Sequence, residues 1–383
     1  MTASLDGSVE RAAAENELPT VDGGVWDLLV IGGGTAGLVG ARTAASFGAS
    51  VLMVERNRTG GDCLWTGCVP SKALLAAATA AADARATGRL GVHVDGVRVD
   101  FAAVMAHVHA AIARIEPDDS PESLRSAGVA VAFGRARFTG TDTAEVDSRP
   151  VRFRQALVAT GSNPLVPPIS GLREANPLTS DTVWDLTELP ERLVVLGGGS
   201  IGCELGQAFT RLGSTVTVVE AAARLLTNEE TEAARAVHKA ITADGTTVLT
   251  GEPVTAVEGS EVLLEGGRRI PADAILVAVG RRPDTSGLDL VAAGVRTNDR
   301  GFVEVDDHLR TTNPRIWAAG SGGGREDDGS APASLTRGVG GCHAACAACW
   351  PLLHSSPRLE HAQSVAQAVV GRNRQSGRVL AQS

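Results

Sequence analysis

The chain has 383 residues and is 43% apolar, enough for two or three cored units at roughly 100 to 200 residues each. Its formal net charge of -9 and the absence of any long Lys/Arg run argue against a polyanion-binding surface, so nucleic acid is not an expected partner. Tyr is absent, with only 7 Phe and 5 Trp, which leaves little material for base-stacking platforms or saccharide clefts.

The first 24 residues, MTASLDGSVERAAAENELPTVDGG, are acidic and carry neither a basic n-region nor an apolar h-region; they read as a loose arm, not a secretory signal. The charge-free apolar stretches further on are too short, or too broken by glycine, to span a bilayer. A soluble cytoplasmic protein without a membrane partner is expected. In a reducing compartment its 6 cysteines favour catalytic or metal-binding thiols over a disulfide framework.

From Asp27 the chain reads DLLVIGGGTAGLVGARTAASFGASVLMVER: an apolar run, a glycine turn, a helical stretch, a glycine stop, a second apolar run and an acid. From Arg192 it does so again, RLVVLGGGSIGCELGQAFTRLGSTVTVVEA, without a gap and at a constant offset of 165. Gly32, Gly34, Gly37, Gly48 and Glu55 correspond to Gly197, Gly199, Gly202, Gly213 and Glu220. Each copy predicts a βαβ unit. In G-x-G-x-x-G the first Gly makes the tight turn, the second lets backbone N–H groups approach a pyrophosphate, and the third lets helix and strand pack closely. The acid, 23 positions beyond the first Gly in both copies, is placed to accept ribose hydroxyls. Glycines also make ordinary turns, but the repeated strand, helix and acid around these favour two bound dinucleotides. A shorter echo, LVATGSNP from Leu157 and LVAVGRRP from Leu276, closes each unit with a strand running into Gly161 or Gly280.

Between the two copies, GGDCLWTGCVPSK sets Cys63 and Cys68 five apart. On a regular helix that spacing separates the Cα atoms by roughly 8 to 9 Å, too far for a disulfide. If the two bridge, Leu-Trp-Thr-Gly must depart from helix, and Gly67 permits that. Pro70, tolerated in a first turn, and the run KALLAAATAAADARA mark the helix proper. Cys68 then sits at a helix N-terminus with Lys72 one turn on, and both features lower a thiol pKa. Two packed cysteines remain the bland alternative, although a small core has little use for the surrounding glycines and lysine. Cys203 reads as a packed helix residue, and His107 and His109, two apart on FAAVMAHVHAAIARI, face different sides. His238 and His308 have no visible partner, and Ser120 in EPDDSPE is a helix cap.

The run from Asp27 to about Gly320, roughly three quarters of the chain, resembles the class I pyridine nucleotide-disulfide oxidoreductases, the family of dihydrolipoamide dehydrogenase, glutathione reductase and mercuric reductase. Its most specific element is GGDCLWTGCVPSK, which looks like that family's redox-active disulfide motif. The resemblance implies an α/β fold of two Rossmann-like dinucleotide-binding domains of the three-layer ββα type, the second inserted in the first. The expected divisions are a flexible arm (1–24), a first part of the FAD domain (25–176), an NAD(P) domain (177–274), a return to the FAD domain (275–320) and an atypical tail (321–383). Gly32, Gly34, Gly37, Glu55, Arg56, Gly61, Lys72, Thr160 and Gly161 would serve FAD; Gly197, Gly199, Gly202, Glu220 and Gly280 would serve the nicotinamide cofactor. Cys68 would face the flavin as the charge-transfer thiolate, Cys63 would meet the substrate, and Lys72 would pair with Glu204. Electrons would pass from reduced nicotinamide through FAD to the Cys63/Cys68 disulfide and on to a small-molecule or disulfide acceptor. Glu220 accepts a ribose 2'-hydroxyl but repels a 2'-phosphate, favouring NAD(H) over NADP(H), with Arg224 as the contrary sign.

The sequence departs from that family after RIWAAG, where Ser321 stands in place of the Asp that grips the ribityl chain. No counterpart of the interface domain that makes the family homodimeric is expected in the tail, and residues beyond Gly320 are expected to be read in a changed frame. Cys342, His343, Cys346 and Cys349 suit zinc by type but lack a second C-x-x-C or H-x-x-x-H, so no metal site is expected. Mercuric ion as acceptor lacks the family's amino-terminal metal-binding pair and adjacent carboxy-terminal cysteines. Two other expectations stay open: a dinucleotide-binding remnant without turnover, and a flavin diaphorase that reduces small acceptors without the cysteines.

Overall fold

The computed structural model describes residues 18–324. Most of the expected arm and the tail with Cys342, His343, Cys346 and Cys349 lie outside the described residues. The fold is mixed α/β and divides into two compact units: one made of residues up to Thr59, Asp119–Gly161 and Pro283 onward, the other of Gly60–Asp118 and Ser162–Arg282.

In the first unit the glycine-turn repeat folds as strand Val25–Ile31, helix Thr35–Ser46 and strand Val51–Glu55. The parallel sheet runs Val129–Phe133, Val51–Glu55, Val25–Ile31, Arg149–Val158, with Ile316–Ala318 pairing parallel on the far edge of the last. Arg149–Val158 is long enough to serve two partners on that edge: its start pairs antiparallel with Thr143–Val146, which pairs with Ala136–Phe138. Val25–Ile31 is apolar nearly throughout because both its faces are covered. Leu28 and Val30 pack among Ala36, Leu38, Ala41 and Leu124, on the helical side. Leu29 and Ile31, one residue out of phase, pack with Phe138, Val146 and Phe153 of the antiparallel strands. Ser120 caps helix Pro121–Ser126 by accepting from the Ser123 N–H at 3.2 Å.

The second unit repeats the plan. Its parallel sheet runs Thr247–Thr250, Thr215–Glu220, Arg192–Leu196, Ala274–Val277, Leu178–Thr179, and Val254–Glu258, Glu261–Leu264 and Arg269–Pro271 form an antiparallel sheet. Leu193 and Val195 face the helices, Val194 and Leu196 the antiparallel strands.

The compact units divide differently from the expected domains at two places. Strand Ala274–Val277, assigned from Ile275 to the returning FAD domain, pairs parallel with Arg192–Leu196 and completes the second sheet; this unit extends to Arg282. Residues 60–118, expected with the first domain, belong to the second unit. The reason is apolar packing: Ala73, Leu74 and Ala78 of helix Cys68–Ala86 and Phe101, Met105 and Val108 of helix Phe101–Ile115 share one core with Leu205, Phe209 and Leu212. The Phe101 and Phe209 rings lie 6.1 Å apart, tilted by 43°. No helix among the described residues is long and apolar enough to cross a membrane.

Candidate functional site

The first glycine turn is built by close backbone approach. Gly32 has φ +106, and a Cβ there would run into the Ala159 carbonyl. A Cβ at Gly37 would strike the Gly32 carbonyl, so helix Thr35–Ser46 starts hard against the turn. Gly34 is its N-cap and supplies no side-chain bond, which leaves the first N–H groups to a ligand or solvent. Glu55 braces the turn: its Oε2 accepts from the Gly33 N–H at 2.6 Å and its Oε1 from the Asn57 N–H at 2.8 Å. Arg56 pairs with Asp284. Beside the turn, the Thr160 hydroxyl is buried without a hydrogen-bond partner, and Gly161, at φ +69, has the Ser321 Oγ 3.7 Å from its Cβ position. A buried, unpartnered hydroxyl next to a side-chain-free helix start fits a polar dinucleotide.

The second turn repeats these contacts residue for residue. Gly197 has φ +107, and its Cβ would meet the Ala278 carbonyl; a Cβ at Gly202 would meet the Gly197 carbonyl. Glu220 accepts from the Gly198 N–H through Oε2 and from the Ala222 N–H through Oε1, both at 2.7 Å. Among the described residues, and apart from the adjoining backbone, nothing lies within 4 Å of a Cβ built at Gly199 or Gly280, so the space over each is open. Arg224 is committed to its own loop, donating to the carbonyls of Leu226 at 2.7 Å, Thr227 at 2.8 Å and Glu229 at 3.0 Å.

Cys63 and Cys68 also lie in the second unit, on two helices and not one. Cys63 is within the short helix Gly61–Trp65, and Cys68 opens helix Cys68–Ala86. The break falls at Thr66 and Gly67, where a Cβ on Gly67 would come within 2.8 Å of the Asp62 carbonyl. The two cysteines are thiols in this structure, and a hydrogen bond from Cys63 is the main reason that Cys68 falls from 9.0 to about 6. Burial opposes this. Lys72 and the helix-start backbone lower the pKa further, and Glu204 raises it slightly. The expected Lys72–Glu204 ion pair is not formed among the described residues: Lys72, on the exposed side of its helix, and Glu204, on helix Ser200–Leu212, each act on the Cys68 sulfur instead. Cys68 is exposed and Cys63 half-buried. Gly61, at φ +58, begins the short helix of this unit. Cys203 is buried, its thiol pushed up to about 11 by desolvation and then by Glu220. No group of metal-ligating side chains occurs among the described residues.

Two residues around the thiols carried no sequence signal. The Trp184 indole N–H is shared between the carbonyls of Thr66 at 2.9 Å and Ser180 at 2.7 Å. Arg281 donates to Ser162 Oγ at 2.8 Å and Ser180 Oγ at 3.1 Å and pairs with Asp62. Apart from the Trp184–Ser180 bond, four residues apart, these contacts span 101 to 219 residues of sequence, beyond any local pattern.

The sequence model of the family described as pyridine nucleotide-disulphide oxidoreductase matches residues 26–334. Similar curated proteins include a mercuric reductase of Streptomyces lividans, 39% identical over 308 residues (77% of this chain, 65% of that protein). A dihydrolipoyl dehydrogenase of Thermus scotoductus is 37% identical over 311 residues, 77% of this chain and 66% of that one. The chain therefore spans just under two thirds of the length of these relatives. Among solved structures, the Cu(II) complex of the HOCl-induced flavoprotein disulfide reductase RclA from Escherichia coli superposes with a TM-score of 0.71 at 27% identity, covering 87% of this chain and 72% of that one.

Proposed function

Because this chain belongs to the pyridine nucleotide-disulphide oxidoreductase family, we propose that it is an FAD-dependent oxidoreductase that takes electrons from NADH and delivers them through Cys63 and Cys68 to a disulfide-type acceptor. The observation that supports this most directly is the thiol pair itself, joined by a hydrogen bond across a helix break on a chain with two pyrophosphate turns.

FAD, when bound, supplies the conversion between hydride chemistry and sulfur chemistry. The chain's residues do the rest. The turn at Gly32, Gly34 and Gly37, braced by Glu55, offers backbone N–H groups to its pyrophosphate, and the Thr160 hydroxyl and Gly161 border the same site. The turn at Gly197, Gly199 and Gly202, braced by Glu220, does so for the nicotinamide cofactor, with Gly280 leaving open space. NADH is favoured over NADPH because Glu220 is an acceptor for a 2'-hydroxyl and Arg224 is tied to its own loop carbonyls.

Cys68 carries the thiolate, with the Lys72 ammonium favouring its charge. Cys63 attacks the acceptor disulfide, forming a mixed disulfide, and its proton passes to the sulfur that leaves. The Cys68 thiolate then attacks the Cys63 sulfur, releasing the second half of the acceptor as a thiolate and leaving Cys63 and Cys68 bridged. Two electrons thus leave the pair.

The test is a visible spectrum of the purified full chain followed by anaerobic NADH addition and turnover with a panel of disulfides, mercuric ion and a quinone. Bound flavin, a long-wavelength band on reduction, and disulfide turnover lost in Cys63→Ser are expected. Absence of flavin, or disulfide turnover untouched by Cys63→Ser, refutes the assignment.

A further inference from the structure

The segment that holds the two sulfurs is pinned from outside at two points. Asp62, immediately before Cys63, pairs with Arg281. That guanidinium is itself fixed by Ser162 Oγ at 2.8 Å, the Ser162 carbonyl and Ser180 Oγ at 3.1 Å, with Asp181 Oδ1 at 3.7 Å. Thr66, inside the interval between the cysteines, gives its carbonyl to the Trp184 indole N–H, which also bonds the Ser180 carbonyl. Ser180 is therefore the shared anchor: its side chain receives one clamp and its backbone the other. Within the segment, the Thr66 N–H bonds the Asp62 carbonyl at 2.9 Å, so the two pinned residues are also tied to each other.

We propose that Arg281 and Trp184 are positioning residues that hold Cys63 within hydrogen-bond reach of Cys68, so that the geometry of the thiol pair is set by residues more than a hundred positions further along the chain. The proposal rests on the dithiol role given above. The segment contains a non-helical turn at Thr66 and Gly67 and has no side-chain cap at the start of either helix. The Arg281 guanidinium meets Asp62, Ser162 and Ser180, so its influence on the pair runs through Asp62 and Cys63. A planar fork that bridges a carboxylate, two hydroxyls and a carbonyl is a task that Lys, with one point charge, does not perform. Trp184 adds a donor in a fixed plane, and its ring is buried in the core that carries both long helices.

The test reads the thiols directly and needs neither flavin nor turnover, so it fails independently of the proposed function. In the reduced full chain, the rate of Cys68 carboxamidomethylation by iodoacetamide is followed against pH by peptide mass spectrometry. The variants are Arg281→Met, Arg281→Lys and Trp184→Phe, each with Cys63 present and in a Cys63→Ala background. With Cys63 present, Arg281→Met and Arg281→Lys are both expected to raise the midpoint by about one pH unit, which lowers the rate roughly tenfold below the midpoint; Trp184→Phe shifts it in the same direction. In the Cys63→Ala background all three are expected to change nothing further, because the link they act through is gone. An unchanged midpoint in Arg281→Met, full wild-type behaviour in Arg281→Lys, or shifts of equal size in the Cys63→Ala background overturns the proposal. Should Arg281→Met fail to fold, Asp62→Asn breaks the same contact from the other side and carries the same expectation.

Discussion

The two glycines of the second turn are expected to fail in different ways when given a methyl group. Gly197 sits at φ +107 with the Ala278 carbonyl where its Cβ would be. For Gly197→Ala the left-handed backbone costs ~1–2 kcal/mol and forcing a methyl against a packed carbonyl costs ~1–3 kcal/mol more, about 2–5 kcal/mol together. In a unit of this size that lowers the unfolding midpoint by roughly 5–15 °C. Gly199 has φ -73 and, apart from the adjoining backbone, no described residue within 4 Å of a built Cβ. There the gain from a stiffer unfolded chain, ~0.4–1 kcal/mol, offsets the poorer N-cap, and stability stays within ~0.5 kcal/mol. The methyl of Gly199→Ala instead projects into the space a pyrophosphate approaches, so NADH affinity is expected to fall by at least ~tenfold, or about 1.4 kcal/mol. Thermal unfolding and calorimetric NADH titration on both variants separate the cases. If Gly199→Ala melts as early as Gly197→Ala, or binds NADH undiminished, the division between a folding glycine and a ligand glycine is wrong.

Removing the Cys63 donor tests the electrostatics of the pair. A hydrogen bond to a charged group contributes ~1.5–3 kcal/mol, and half-exposure puts this one at the low end, so Cys63→Ala should raise the Cys68 alkylation midpoint by roughly one unit or somewhat more. A midpoint still near 6 removes Cys63 as the cause. Because the folded pKa lies below the unfolded value, the stability this thiolate contributes is full above about pH 9, declines as pH falls from 9.0 to about 6, and is lost below that; the stability difference between reduced wild type and Cys68→Ala measured across that range should show this slope. Arg224→Ala should destabilise the loop its guanidinium holds together yet leave the NADH-to-NADPH ratio of kcat/KM within about threefold; a selective loss of NADPH use would show that Arg224 reads a 2'-phosphate after all.

The two glycine turns were legible in the sequence because each glycine answers a local steric demand: Gly32 and Gly197 against a carbonyl, Gly37 and Gly202 against the turn itself. The helix break between the cysteines was legible at Gly67 for the same reason. The division of the chain was not. The run from Leu276 to Gly280 has the same character as the one from Leu157 to Gly161, and only strand pairing shows that the first completes the sheet of Arg192–Leu196. Nor does the apolar face of helix Cys68–Ala86 state its partner; Ala73, Leu74 and Ala78 would suit either core, and they meet Phe209 and Leu212. Trp184 and Arg281 were invisible because their significance lies in what comes to meet them, Thr66 and Asp62, from far along the chain.

The carboxylate braces at Glu55 and Glu220 hold matching backbone amides, Gly33 and Asn57 in one case and Gly198 and Ala222 in the other. Adenosine diphosphate, common to both expected cofactors, would thus find two near-equal lodgings. Discrimination must be imposed by loops lying past the brace, and a compound mimicking only the shared half would be an indiscriminate competitor. Selective inhibitors of either pocket will have to reach beyond it.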